Sequence, residues 1–216
     1  RIHRGERGST HHSVTPKFFL IQRDNLKLEF EHNRQVATLT LNSPANLNAM
    51  DLDMAESFRE AQSALKDCLD TLRLVVLQGE GRAFSAGGDL EMLRLKAQKA
   101  FEQNEQEMME FYLSFLGLRQ LGVPLLCLLH GHVVGAGFCF SAACDVRLAA
   151  EDTQLAAPFT RLALHPGMGG SFFLARGLGS EVARDLMLTG RRMSAAEAHQ
   201  RGFVAAVTPL TELREA

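Results

Sequence analysis

Two apolar runs in this chain each break into glycine where a helix is about to begin. "LRLVVLQG" leads to "SAGGD", and "VPLLCLLHG" leads through "HVV" to "GAGFCFSAACD". A short run that is apolar throughout, with no period-two alternation, reads as a strand buried on both faces. Strands of that kind alternating with helices need crossover connections, and so point to an α/β fold. In such sheets the strand-to-helix junctions are also where ligands tend to bind. The junctions therefore constrain fold and function together.

The rest of the chain fits around them. "LKLEFE" (Leu26 to Glu31) and "QVATLTL" alternate apolar and polar residues on either side of "HNR", as two antiparallel edge strands do. Asp51 is placed to N-cap a helix running to about Asp70. Residues 98–120 have helical periodicity, with Phe101, Met108, Phe111, Tyr112, Phe115 and Leu118 on one side. "CDVRLAA", "TQLAAP" and "FVAAV" read as further strands, separated by helical pieces at 170–176, 181–188 and 195–201. Residues 1–25 are polar and rich in Gly, Ser, Thr and His, which predicts a flexible lead-in or linker before a single domain over 26–216.

Composition narrows the partners. The 216 residues include 46% hydrophobic and 22% charged, enough for one sizeable core. A formal net charge of −2 supplies no general attraction for nucleic acid or an anionic membrane, so an anionic ligand must be held by local groups. The apolar stretch from Leu121 to Leu129 is too short to span a bilayer. Four cysteines without a CxxC pair read as reduced thiols. The expected location is the cytoplasm, with an organelle matrix left open by the basic N-terminus.

Glycine and alanine at a strand-to-helix junction let a substrate approach the backbone and leave N–H groups free to donate. Two such junctions facing one pocket would hold a thioester carbonyl and stabilise the enolate formed from it. Tight packing alone is the other reading of each junction taken singly.

Five motifs in order, "LNSPANLNAM", "GRAFSAGGDLEML", "GHVVGAGFCFSAACDVRLA", "TQLAAPFTRLALHPGMGG" and "LTGRRMSAAEAHQRGFVAAV", resemble the crotonase (enoyl-CoA hydratase/isomerase) superfamily from about Leu28 onward. The resemblance implies a spiral of repeated ββα units. It also implies an acyl-CoA or acyl-carrier thioester as substrate without a further cofactor or metal, and a homotrimer or hexamer. It makes Gly88 and Ala136 the two amide donors of an oxyanion hole, although the middle residue of the second junction is usually glycine in the family. Ala86, Gly87, Asp89, Leu90 and Gly137 become residues that contact the substrate or its CoA portion, while for Asp89 helix capping is an equally ordinary role. Asp145 matches a structural aspartate.

The pattern also departs from the family. Hydratases there carry two glutamates flanking a water; this chain has Cys139 and Phe159 at those positions. Phenylalanine exchanges no proton, and burial disfavours a thiolate, so the two-glutamate hydration is not expected and Cys139 reads as a core thiol. His165, before "PGMGG", is the alternative acid or base, with a structural imidazole as the competing role. His130 and His132 would share one strand face but lack a third ligand, so no metal site is expected. Arg161 is expected to form a surface ion pair rather than reach a substrate carboxylate. The phenylalanine and "HPGMG" also resemble crotonase-like decarboxylases of polyketide β-branching, whose lysine after the first junction is missing here; Lys96 reads instead as a solvated helix residue. A non-catalytic acyl-CoA binder is the remaining reading. The chain stops before the helices that usually complete the family's pocket, so a short or missing C-terminal helical region is expected.

Overall fold

The computed structural model describes residues 18–215. Phe18–Gln22 (β1), Leu26–Glu31 (β2) and Val36–Leu41 (β3) run antiparallel, and Leu52–Lys66 (α1) crosses over to Leu74–Gly79 (β4), which pairs parallel with β3. From there the chain repeats one pattern. β4 is followed by Ala83–Ser85 (β5) and the helices Leu90–Lys96 (α2) and Phe101–Leu116 (α3). Leu125–Leu129 (β6) is followed by His132–Val134 (β7) and Ala136–Ala142 (α4). Val146–Ala150 (β8) is followed by Gln154–Ala156 (β9), then Gly170–Leu178 (α5) and Ser180–Thr189 (α6). Arg192–Ser194 (β10), Ala195–Gln200 (α7) and Ala206–Thr208 (β11) close the described chain.

Each turn gives its first strand to a seven-stranded sheet, order β1-β2-β3-β4-β6-β8-β11, and its second to a four-stranded sheet, order β10-β9-β7-β5. This is the α/β spiral of ββα units that the motifs imply.

Three details differ from the sequence reading. First, β2 and β3 are not at an edge: β1 covers β2, and β3 pairs with β4 on its other side. Thr38 and Thr40, the polar positions of the alternation in β3, are buried for that reason. β1 itself falls within the stretch read as lead-in, whose first 17 residues lie outside the described residues. Second, "VPLLCLLHG" does not continue as one strand into "HVV". The chain turns at His130–Gly131 and passes from the large sheet to the small one, so His130 is buried against the Gly81 carbonyl (3.0 Å) while His132 is exposed on β7. Third, the three-residue strands β5 and β10 are too short to leave a periodicity.

The helices form where capping and spacing call for them. The Asp51 side chain accepts from the Met54 amide at 2.8 Å, and Met54, Ala55, Phe58, Ala61 and Leu65 give α1 its buried stripe. Phe58 meets Phe115 of α3 at 4.8 Å between ring centroids and Phe140 of α4 at 5.7 Å. Each fully buried phenylalanine contributes about 2–3 kcal/mol by burial, so this cluster fixes α3 and α4 against α1.

Lys96 corrects another expectation. It is buried rather than solvated, and it ion-pairs with Glu107 of α3, which also binds Lys99 at 2.7 Å. The two lysines hold the Glu107 carboxyl down, from an ordinary 4.5 to about 2. A depressed carboxyl stabilises the fold fully above its unfolded value and loses that contribution as pH falls through the folded one. The expected outcome is that Glu107→Gln is less stable than the parent at neutral pH, and that the gap closes between pH 4.5 and about 2 in denaturant titrations. A gap that stayed constant on acidification would contradict the assignment.

Candidate active site

The first junction is built around a buried asparagine. Asn48 is fully buried in a left-handed conformation (φ 54°). Its amide nitrogen donates to the Glu80 and Ala83 carbonyls (2.9 and 2.8 Å), and its side-chain oxygen accepts from the Ser43 amide at 2.8 Å. The Asn48 carbonyl in turn accepts from Ser85 Oγ (2.8 Å), which accepts from the Gly87 amide (3.1 Å). Backbone bonds complete the brace: Ala86 N–H to Leu47 (2.9 Å), Met50 N–H to Gly87 (2.7 Å) and Asp89 N–H to Met50 (3.0 Å). The amide of Gly88 lies in the middle of these, and among the described residues it has no acceptor. Gly88 is partly exposed, so its open amide is accessible to a ligand atom entering this braced turn.

The second junction meets the first. Gly135 donates to the Ala156 carbonyl (2.9 Å) and caps α4 by accepting from the Cys139 amide (3.0 Å). The amides of the first turn have no partner inside a helix, and among the described residues Ala136 N–H has no acceptor. Gly87 lies at φ +101°, a conformation side chains rarely adopt, and a Cβ there would stand 2.8 Å from the Val134 carbonyl oxygen and 3.3 Å from Ala136 N. The two junctions are thus in van der Waals contact, with both open amides alongside.

They share one cavity of about 120 Å³, lined by Ala86, Gly87, Gly88, Gly135 and Ala136. Leu90 and Leu93 of α2, Phe111 and Tyr112 of α3, and Phe159 and Leu164 form its walls. Among the described residues, no aspartate or glutamate lines it. His165 does line it but is exposed, at the rim. Its loop is bracketed by Ala163 and Met168, both at φ 53°; each such conformation costs about 1–3 kcal/mol and persists here with Met168 fully buried.

The remaining expected residues lie elsewhere. Asp89 caps α2, accepting from the Met92 amide at 2.7 Å, and does not line the cavity. Gly137 is buried against Ser85. Cys139 is fully buried and outside the cavity wall, and burial pushes its thiol up to about 12, so it is neither a base nor a nucleophile at neutral pH. Phe159, by contrast, stands in the wall itself. Asp145 is structural, accepting from the Leu125 amide at 2.9 Å. Arg161 is no cavity residue either; it donates to the Thr189 carbonyl (3.2 Å). Among the described residues no cluster of three or more His, Cys, Asp or Glu is placed to hold a metal, and no helix is long and apolar enough to cross a membrane.

Sequence reasoning passed over three residues that matter here. Asn48 and Ser85 brace the first junction, and their only signal was polarity inside segments destined for the core. Tyr112 was placed on the apolar side of its helix by spacing, which does not tell that its ring reaches the cavity.

Comparison with known proteins agrees with this architecture. A family model described as enoyl-CoA hydratase/isomerase matches residues 31–216. The Mycobacterium tuberculosis protein named "Probable enoyl-CoA hydratase echA8" is 34% identical over 184 residues, 85% of this chain and 69% of that protein. Among solved structures, an enoyl-CoA hydratase from Bacillus anthracis superposes with a TM-score of 0.77 at 32% identity, covering 88% of this chain and 72% of that one. One from Geobacillus kaustophilus gives 0.82 at 25% identity, covering 93% and 74%. With the spiral of ββα units and the family model spanning nearly all the described residues, the chain belongs to the crotonase, or enoyl-CoA hydratase/isomerase, family.

Proposed function

We propose that this protein binds a short acyl thioester, carried on coenzyme A or an acyl carrier, with the thioester oxygen between the amides of Gly88 and Ala136. One observation carries the reading: two backbone N–H groups without acceptors among the described residues, on touching junctions, belong to residues that line a single apolar cavity. A ground-state carbonyl accepts weakly, whereas the oxygen of an enolate bears most of a negative charge. Both hydrogen bonds therefore strengthen as the enolate forms, and the apolar walls enlarge the difference. Ala136 supports this role as well as glycine would, because the donor is backbone.

Hydration is not part of the proposal. Adding water across a double bond needs a group that takes a proton from the water and one that returns a proton to carbon. Phe159 can do neither, the Cys139 thiol is held protonated by burial, and no carboxylate lines the cavity. The same lining favours a second reading, decarboxylation of an acyl thioester bearing a β-carboxylate. There the carbon–carbon bond breaks, its electron pair passes into the enolate, carbon dioxide leaves, and the α carbon takes a proton from solvent or from His165. That route asks for the amide pair but for no water-activating base. A homotrimer or hexamer completes the proposal, supported by exposed Phe172 and Leu188.

The expected outcome for the purified protein is binding of butyryl-CoA in calorimetry with crotonyl-CoA hydration at background. Rapid hydration would overturn the reading, as would failure to bind any acyl-CoA. Carbon dioxide release from malonyl-CoA, lost in His165→Ala, would select the decarboxylase; binding without any turnover would select a binding-only role.

Backbone geometry predicts which substitutions matter. Gly87→Ala forces a side chain into φ +101° against the Val134 oxygen, at a cost of about 1–3 kcal/mol, and displaces the neighbouring Gly88 amide. Its Kd for butyryl-CoA is expected to rise at least about tenfold, a change of about 1.4 kcal/mol. Cys139→Ala, away from the cavity, is expected to cost about 1 kcal/mol of stability while changing that Kd less than about twofold. The reverse pattern would place the chemistry at Cys139.

A further inference from the structure

Tyr112 is the only tyrosine in the chain, and it lines the same cavity as Gly88 and Ala136. Its ring is held edge-on by Phe111 (centroids 5.7 Å apart, 65° between planes), so α3 and the aromatic cluster fix where the hydroxyl sits. That place is over the loop after His165. A Cβ built on Gly167 would lie 2.3 Å from the Tyr112 oxygen, so glycine there leaves the room that the hydroxyl occupies.

The hydroxyl makes no hydrogen bond with any of the described residues. It is not sealed in the core either: among the described residues, the buried side-chain polar atoms without partners are Asn104 Oδ1 and Thr208 Oγ1. The tyrosine oxygen is therefore accessible, on a residue that lines the cavity. A largely buried phenol normally has a hydrogen-bond partner. Of the acceptors in the lining, neither the His165 ring nor a backbone carbonyl is bonded to this hydroxyl. Burial also pushes the phenol above its ordinary 10.0, so at neutral pH it is a donor. An oxygen of a ligand in the cavity would supply an acceptor for it. In a cavity of about 120 Å³ that acceptor lies only a few atoms from the thioester carbonyl.

We propose that Tyr112 is a specificity-determining residue whose hydroxyl donates to an oxygen on the third carbon of the acyl chain, so that the site prefers 3-oxoacyl thioesters to plain alkanoyl ones. The proposal rests on the acyl-thioester reading above. It adds a third donor to the two amides and assigns it to the acyl chain.

Acetoacetyl- and butyryl-pantetheine differ by the one oxygen in question and carry no adenine to mask the protein. Because the chain has one tyrosine and no tryptophan, quenching of tyrosine emission reports ligand arrival at this residue directly. The expected result is a Kd for the acetoacetyl ester about three- to tenfold below that for the butyryl ester, the range of one hydrogen bond. In Tyr112→Phe, with binding followed by calorimetry, the ratio is expected to fall to about one. Gly167→Ala, which presses a methyl group against the hydroxyl, should lower the ratio as well. Equal affinity in the parent, or a ratio that survives Tyr112→Phe, would overturn the assignment and leave the thioester reading standing. If the parent bound neither ester, the thioester reading would fall and this one with it.

Discussion

Where Gly87 passes the carbonyl of Val134 there is no space for a methyl group, and the site depends on that contact. It brings the open amide of one strand-to-helix junction beside the open amide of another. The junctions are fixed by backbone pairing and by buried polar side chains of the first one. They are held by the small sheet, in which β5 and β7 lie parallel as neighbours, and by the hydrogen-bond chain from Asn48 through Ser85 to Gly87. The large sheet sets the repeat of the spiral and the small sheet sets the distance across the site. A donor pair built this way needs no reorganisation when charge develops on the ligand, which is why backbone amides suit the task.

Much of this was legible before any coordinates. The buried strands β4, β6 and β8, the capped helix α1 and the glycine junctions follow from apolar continuity, an aspartate at a helix start, and residues without side chains where a chain must turn. What was not legible is equally physical. β5 and β10 have three residues each, too few for a period, and they exist because the spiral supplies partners far away in sequence. Lys96 looks solvated on its own helix; only α3 brings Glu107 to it. β2 and β3 look half exposed because their alternation describes one sheet face, and β1 and β4 were needed to show that both lie inside the sheet.

The candidate site divides the same way. Residues proposed to act through the backbone, Gly88 and Ala136, sit in glycine junctions that the sequence already shows, and the family resemblance singled them out there. Side-chain roles could not be read in the same way. Asp89 has the chemistry of a ligand-binding group, yet it is consumed in capping α2; Cys139 sits where the family has a glutamate, yet faces the core. Tyr112 counts as apolar by helical spacing, although it carries an uncommitted hydroxyl donor at the cavity.

This division bears on how one scaffold can carry different reactions. The amide pair is insensitive to the identity of neighbouring side chains so long as the glycines keep the junctions in contact. On the proposed reading, a thiol and a phenyl ring in place of two carboxylates would remove proton transfer to and from water while leaving the amide pair for an enolate oxygen. An apolar wall at Phe159 also has an effect of its own: it lowers the local polarity, which strengthens the two remaining hydrogen bonds as charge develops on the ligand. Losing the acid/base pair thus does not leave a weakened hydratase. On the proposed reading it leaves a site whose main resource would be charge stabilisation, suited to reactions whose difficult step is forming the enolate and ill suited to those whose difficult step is activating water.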